Sequence, residues 1–453
     1  MSVRNTERPG SPRPDGGFAR FGLHPELQRA LERIGFETPT PIQDSALPPA
    51  LAGKDVLACA MTGSGKTAAF VLPILERLRS KPRGTTRALI LTPTRELAAQ
   101  IEEERRRMAH FTKVSGAAVF GGVGMGPQEQ AFRRGVDVIT ATPGRLLDHL
   151  KNDYARLDGV EILVIDEADR MLDMGFLPDI RRILARLPDR QRQTLFFSAT
   201  MPPAIVELAG EMLDSPVRID VERKQAPATG VRQALYPVRQ DLKVELLVTL
   251  LERGEVGNVI VFCRTKHRTN RLAEKLEKRG ISVARIHGNR SQKQRTEALA
   301  GFKSGRYRVL AATDIVARGI DVEALDHVLN FDVPVAAEDY IHRVGRTARA
   351  GATGDAYTFV APEEEEEVRA IERALGKRIE RRTVEGFDYT APAPERLEIP
   401  LAQRIAEIRA RKAEERARAA AKAERQRQRE NEAARTTAAP RRSGPKARPR
   451  YAR

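Results

Sequence analysis

Short apolar runs recur along the chain, each followed by a longer stretch whose apolar residues return with helical spacing. In the first half these runs fall at 56–59, 88–91, 136–140, 162–165 and 194–197. In the second half they fall at 259–263, 283–286, 309–312, 327–330 and 356–360. Alternation of short apolar runs with helical patterns marks β-α-β units, so the sequence predicts parallel sheets. The alternation breaks at 223–230 (Arg-Lys-Gln-Ala-Pro-Ala-Thr-Gly), which reads as a linker between two domains of similar size, 18–222 and 231–382. Residues 1–17, rich in Pro and Gly, read as disordered, and 383–400 as a second linker. The acidic run 363–367 follows Pro362, and acids in the first turn of a helix suit its dipole.

Composition sharpens this picture at the C-terminus. The 453-residue chain carries a formal charge of +17, but residues 401–453 hold seventeen Lys and Arg against six Glu. Eleven of the net positive charges therefore lie in an Ala/Arg/Glu/Gln-rich tail that has too little apolar surface to build a core. The fold class expected is thus α/β, two parallel-sheet domains in tandem followed by a basic, largely disordered tail. A basic chain favours a polyanionic partner. Cys59 and Cys263 lie inside apolar runs without metal-binding spacing, as buried thiols of a reducing compartment. No apolar stretch is long enough for a membrane span, so no membrane partner and a cytoplasmic location are expected.

The candidate chemistry lies at the carboxyl ends of predicted strands, where open parallel sheets bind ligands. Thr62-Gly63-Ser64-Gly65-Lys66-Thr67 follows the first strand and opens a helix. Small residues there let backbone N–H groups wrap phosphates, while Lys66 reaches the terminal phosphates and Thr67 offers a hydroxyl to Mg²⁺. Asp166 and Glu167 directly follow the run Ile162-Leu163-Val164-Ile165. Paired carboxylates there suit Asp166 to holding the metal through water and Glu167 to activating the attacking water. An acid at this place can also simply cap a helix. In the second domain, His342-Arg343-Val344-Gly345-Arg346-Thr347-Ala348-Arg349 offers Arg346 and Arg349 at helical spacing as arginine fingers. Such a finger supplies roughly 10³–10⁵ in rate. Alone, an Arg-rich helix is a solvated surface.

Together these motifs resemble, in order and spacing, the DEAD-box RNA helicases, named for the tetrapeptide at Asp166-Glu167-Ala168-Asp169; the resemblance covers about 18–382. It implies two RecA-like domains, ATP as substrate and Mg²⁺ as cofactor. The segment from Gly35 to Gln43 resembles the Q motif, which makes Gln43 the reader of the adenine edge and Phe18 the aromatic that stacks on the base. Ala60 is also the family's residue, where the generic phosphate loop has glycine. Ser198-Ala199-Thr200 resembles the motif that couples hydrolysis to unwinding, through hydrogen bonds toward Asp169, with His342 in the same coupling group. RNA contacts carry over to Thr94, Arg95, Gly121, Gly122, Thr142 and Arg145, and to Arg264, Gln292, Arg295 and Thr313. Hydroxyls, glycine N–H groups and isolated arginines bind phosphate and sugar without reading bases. Asp314 matches a residue contacting the nucleotide ribose, and Arg346 and Arg349 match the γ-phosphate arginines. Ala348 departs from the family's glycine. The basic tail and its short preceding segment loosely resemble the bacterial RhlE-like branch.

The reading is an ATP-dependent RNA helicase in which RNA closes two domains on ATP. The resemblance implies RNA as partner through its backbone, ribosome-assembly or RNA-decay proteins as further partners, and a monomeric state. The alternatives are an ATP-gated RNA clamp or annealing factor, and a DNA helicase.

Overall fold

The structure, a computed structural model, describes residues 17–60, 63–80, 84–188, 192–220, 230–314, 325–347 and 353–392. These belong to one compact unit that ends at Pro392. The expected N-terminal disorder, the interdomain linker and the basic tail therefore lie outside the described residues, apart from Gly17 and Gly230.

The unit contains two seven-stranded sheets, parallel throughout. The first comprises β1 (Val56–Cys59), β2 (Ala88–Leu91), β3 (Gly116–Val119), β4 (Val138–Ala141), β5 (Ile162–Ile165), β6 (Gln193–Ser198) and β7 (Val217–Asp220). Their spatial order is β3-β4-β2-β5-β6-β1-β7. The second comprises β8 (Val231–Pro237), β9 (Val259–Phe262), β10 (Val283–Ile286), β11 (Val309–Ala312), β12 (His327–Asn330), β13 (Gly354–Val360) and β14 (Glu380–Arg381). Their order is β10-β11-β9-β12-β13-β8-β14.

The apolar runs are continuous because central strands are covered on both faces. In β5, Ile162 and Val164 join one core, with Phe70, Leu195 and Phe197, while Leu163 and Ile165 join the opposite one, with Phe196. All ten predicted strands are present. The apolar runs do not mark β3, β7, β8 and β14. Strands β3, β7 and β14 are sheet edges, and β8 is half-exposed over its first three residues. Several strand bounds also move, as at β4. Val136 belongs to the cap of the helix Gly126–Arg134, donating to Ala131 O behind the left-handed Gly135, so β4 starts at Val138.

The second linker begins later than the sequence predicts. After β14 pairs with β8, the chain stays on the second domain: Arg253 donates to Glu385 O at 2.7 Å and Val384 N donates to the Tyr389 hydroxyl. Both cysteines are buried free thiols. Among the described residues no helix is long and apolar enough to cross a membrane.

Candidate active site at the carboxyl ends of two sheets

The phosphate loop leaves β1 and enters the helix Lys66–Leu78 through Gly65, whose φ is +92°. A Cβ on Gly65 would stand 2.6 Å from Gln43 Nε2 and 2.8 Å from Thr40 Oγ1, so only glycine fits. Thr62 lies outside the described residues; Gly63 and Ser64 flank the turn, and Thr67 follows Lys66 in the first turn of the helix. Lys66 is buried, donates to Ala60 O at 3.2 Å and lies 3.7 Å from Asp166 Oδ1. Gln43 Oε1 accepts from Thr40 N at 2.9 Å, and its Nε2 donates to Gly65 O at 3.0 Å. The Q-motif glutamine therefore ties its own helix to the phosphate loop, a link the sequence does not announce. Phe18 is 5% exposed and packs on Phe21 and Phe36, so the ring belongs to the core beside this motif.

Asp166 and Glu167 sit at the end of β5. Burial pushes the Asp166 carboxyl up to about 6, Lys66 opposing the shift and Glu167 adding to it. Asp166 Oδ1 is buried without a hydrogen bond. Such an acceptor fits a cation or its bound water. Among the described residues no cluster of His, Cys, Asp or Glu could hold a metal by itself. That fits Mg²⁺, which typically uses one or two carboxylates plus phosphates and water. Among the described residues Glu167 is one of two non-glycine residues with positive φ, at 54°, and pairs with the buried Arg170. Backbone held in this region marks functional strain.

Asp169 and the loop after β6 form a closed set of bonds. Asp169 Oδ2 accepts from Thr200 N at 2.8 Å and from Thr200 Oγ1 at 2.9 Å. Asp169 N donates to Ser198 Oγ, which donates to Thr200 O. Burial raises Asp169, but the Thr200 hydroxyl, Lys66 and His342 together hold it below the usual carboxylate range. His342 comes from the second domain, so its charge is felt at the end of β5.

A second cluster gathers where β2, β3 and β4 end. Thr94 caps the helix Arg95–Met108 by accepting from Leu97 N at 3.3 Å. The Arg95 guanidinium lies against Gly121 and Gly122, where a Cβ on Gly122 would stand 2.1 Å from Arg95 Nη1. Arg145 donates to Val123 O at 3.1 Å, and Thr142 is the cap residue of its helix, Pro143–His149. Behind the loop, His149 bonds Tyr154 OH and Gln128 Oε1, and Gln128 donates to Phe120 O and Gly124 O. The six predicted first-domain contacts thus share one surface.

In the second domain the structure gives the expected site residues partners that the sequence does not show. Gln292 and Arg295, expected at RNA, meet Glu96 of the first domain, Gln292 Nε2 at 3.0 Å from Oε1 and Arg295 Nη2 at 2.7 Å from Oε2. A carboxylate among phosphate-binding residues was the available signal. Asp314, expected at the ribose, is held by Arg343 through both oxygens, Nε at 2.6 Å and Nη2 at 2.7 Å. Arg346 does not share a helix face with its neighbours. The helix Ala337–Val344 stops at Gly345, leaving Arg346 buried in the following turn, and Arg349 lies outside the described residues. Thr313 is buried at the end of β11, and the exposed Arg264 follows β9 closely.

Residues 40–208 match the family described as DEAD/DEAH box helicase, and residues 242–351 match the helicase conserved C-terminal domain. The DEAD-box ATP-dependent RNA helicase CshA of Geobacillus kaustophilus is 41% identical over 390 residues, 86% of this chain and 83% of that protein. The chain belongs to the DEAD-box ATP-dependent RNA helicases. CshA of Bacillus subtilis is 42% identical over 80% of this helicase and 73% of its own length. Among solved structures, Saccharomyces cerevisiae Dbp5 bound to RNA and ADP BeF3 aligns with a TM-score of 0.74 and 31% identity, covering 82% of the helicase and 97% of that chain. Mss116p bound to ssRNA and AMP-PNP aligns with a TM-score of 0.74 and 29% identity, covering 82% and 79%. These bacterial relatives carry the CshA name, and the RhlE-like resemblance rests on the tail.

Proposed function

We propose that this helicase binds ATP and single-stranded RNA across the two sheets, and that closing the domains on both hydrolyses ATP and separates RNA strands locally. The observation that carries this reading is convergence across the domains: His342 beside Asp169, and Gln292 and Arg295 on Glu96. RNA on the surface of Thr94, Arg95, Gly121, Gly122, Thr142 and Arg145 adjoins that bridge, so a strand seated there favours closure. Arg264 and Thr313 extend the phosphate path on the second domain.

At the nucleotide, Lys66 neutralises the terminal phosphates. Gln43 retains an amide hydrogen and a carbonyl lone pair for the adenine edge while holding Gly65. Phe18 supports the base end of the pocket from within the aromatic cluster. Asp166, through water, and the Thr67 hydroxyl would hold Mg²⁺, which supplies charge neutralisation between the phosphates when bound. Glu167 orients and deprotonates the attacking water. Arg346 and Arg349 complete the charge around the γ-phosphate on closure. Asp169, Ser198, Thr200 and His342 connect that event to the RNA surface. The enzyme acts as a cytoplasmic monomer on backbone contacts, serving ribosome assembly or RNA decay.

The test compares ATPase rates without nucleic acid, with an RNA oligonucleotide and with DNA of the same sequence, for wild type and Glu167→Gln. RNA should stimulate strongly and DNA weakly, and Glu167→Gln should bind ATP and RNA while losing turnover and unwinding. Equal unwinding by Glu167→Gln would replace this mechanism with an ATP-gated clamp or annealing factor. Deleting 401–453 should weaken RNA binding and flatten its salt dependence; an unchanged slope refutes an electrostatic tether.

A further inference from the structure

Lys243 is fully buried, although it lies at the start of the helix Lys243–Glu252. Its ammonium donates to Phe331 O at 2.9 Å, to Phe359 O at 3.1 Å and to Glu364 Oε2 at 2.5 Å. Burial pulls the lysine below its ordinary range, with Glu364 and Asp332 opposing. A buried ion pair is weak evidence for stability, because desolvation offsets most of the attraction. What distinguishes this pair is its other end. Glu364 Oε1 accepts from Arg264 Nη2 at 3.3 Å, and the Arg264 side chain is 40% exposed. The same guanidinium nitrogen donates to Val333 O at 3.2 Å, and Arg264 N donates to Asp332 Oδ2 at 2.8 Å. Asp332 O in turn accepts from Arg343 Nη1, the arginine that holds Asp314. Glu364 lies beyond residue 351, where the family match ends.

We infer that Lys243 and Glu364 form a positioning pair that fixes the Arg264 guanidinium for an RNA phosphate. The inference rests on the proposed role of Arg264. Lys243, held by two main-chain carbonyls at the ends of β12 and β13, fixes the Glu364 carboxyl in place. Glu364 then holds one edge of a long side chain that would otherwise sample many rotamers, so less entropy is lost when phosphate binds. Through Asp332 and Arg343 the same network ties that orientation to the Asp314 end of the domain.

The experiment measures RNA affinity of the full chain against salt, with a non-hydrolysable ATP analogue, for wild type, Arg264→Gln, Glu364→Gln and the double variant. Losing one phosphate contact on a single strand flattens the slope of log affinity against log salt by about 0.7. Arg264→Gln should show that change, and an unchanged slope there would refute the phosphate role of Arg264 itself. Glu364→Gln keeps the shape and an acceptor, and should give the same direction of change, with the double variant no weaker than Arg264→Gln alone. Additive losses, or a wild-type slope in Glu364→Gln, would overturn the positioning role and leave Glu364 as a structural cap of the turn at Ala361. Should Glu364→Gln not fold, Glu364→Asp keeps the charge beside Lys243 and withdraws it from Arg264 by one methylene. The same flattened slope is expected there, and a wild-type slope would again overturn the proposal.

Discussion

Glu96 offers the sharpest perturbation of domain closure. Both its oxygens are used across the domains, one by Gln292 and one by Arg295, and the Arg295 pair is buried on both sides. Burial pulls Arg295 below its ordinary range despite the attraction of Glu96, so the bridge is costly to desolvate and contributes little net stability. Removing one partner is another matter, since breaking a buried pair costs roughly 3–5 kcal/mol. Glu96→Gln leaves an amide oxygen for one donor, which brings the expected cost down to about 2–3 kcal/mol. That corresponds to roughly 30- to 150-fold weaker RNA binding in the presence of a non-hydrolysable ATP analogue. Without nucleotide, where closure is not demanded, RNA affinity should change little. Anisotropy of a labelled RNA measures both states, and donor–acceptor dyes on the two domains report closure directly. The double variant Glu96→Gln/Arg295→Met removes the stranded charge and should recover most of the loss. If the single variant binds RNA normally with nucleotide, or the double variant is as poor as the product of the singles, the bridge does not govern closure.

Other consequences are equally direct. Gly122→Ala combines φ of +84° with a Cβ 2.1 Å from Arg95 Nη1, so RNA affinity should fall at least severalfold while the melting temperature drops by only a few degrees; normal affinity would remove Arg95 from the RNA surface. Lys243→Met leaves Glu364 buried without its lysine and should cost roughly 3–5 kcal/mol in urea unfolding, against near neutrality for an exposed lysine. His287 is pushed down to about 4 by burial, with Arg290, Arg285, Lys266 and His267 adding to it, against 6.5 in the unfolded chain. The unfolded state therefore binds the extra proton between those values, so stability is full above pH 6.5 and falls as pH drops toward 4, by up to about 3 kcal/mol. His287→Gln should remove that part of the slope in urea midpoints measured from pH 7 to pH 4.5, and an unchanged slope would assign it elsewhere.

The central strands were legible because their residues are buried on both faces, so no polar residue interrupts the run, as in Ile162-Leu163-Val164-Ile165. Edge strands lack that constraint: β7 has two exposed residues among four, and β14 is Glu380-Arg381. The same logic divides the site. Phosphate-loop, Asp166 and Asp169 geometry follows from backbone position after a strand, which local sequence dictates. Partnerships between distant side chains do not follow locally. Nothing around Asp314 announces Arg343, and nothing around Gln292 announces Glu96, because each pairing depends on how separate elements meet. The shared helix face expected at Arg346 is lost for a local reason, since Gly345 ends the helix before the spacing can be expressed.

Arg95 and Glu96 are neighbours in the first turn of one helix, and their side chains leave its axis about 100° apart. One rests on the glycine pair Gly121-Gly122, while the other grips the opposite domain. The start of that helix therefore carries two contacts of different address, one within its own domain and one across to the other. Because both side chains leave one turn, a displacement of that turn disturbs the two contacts together.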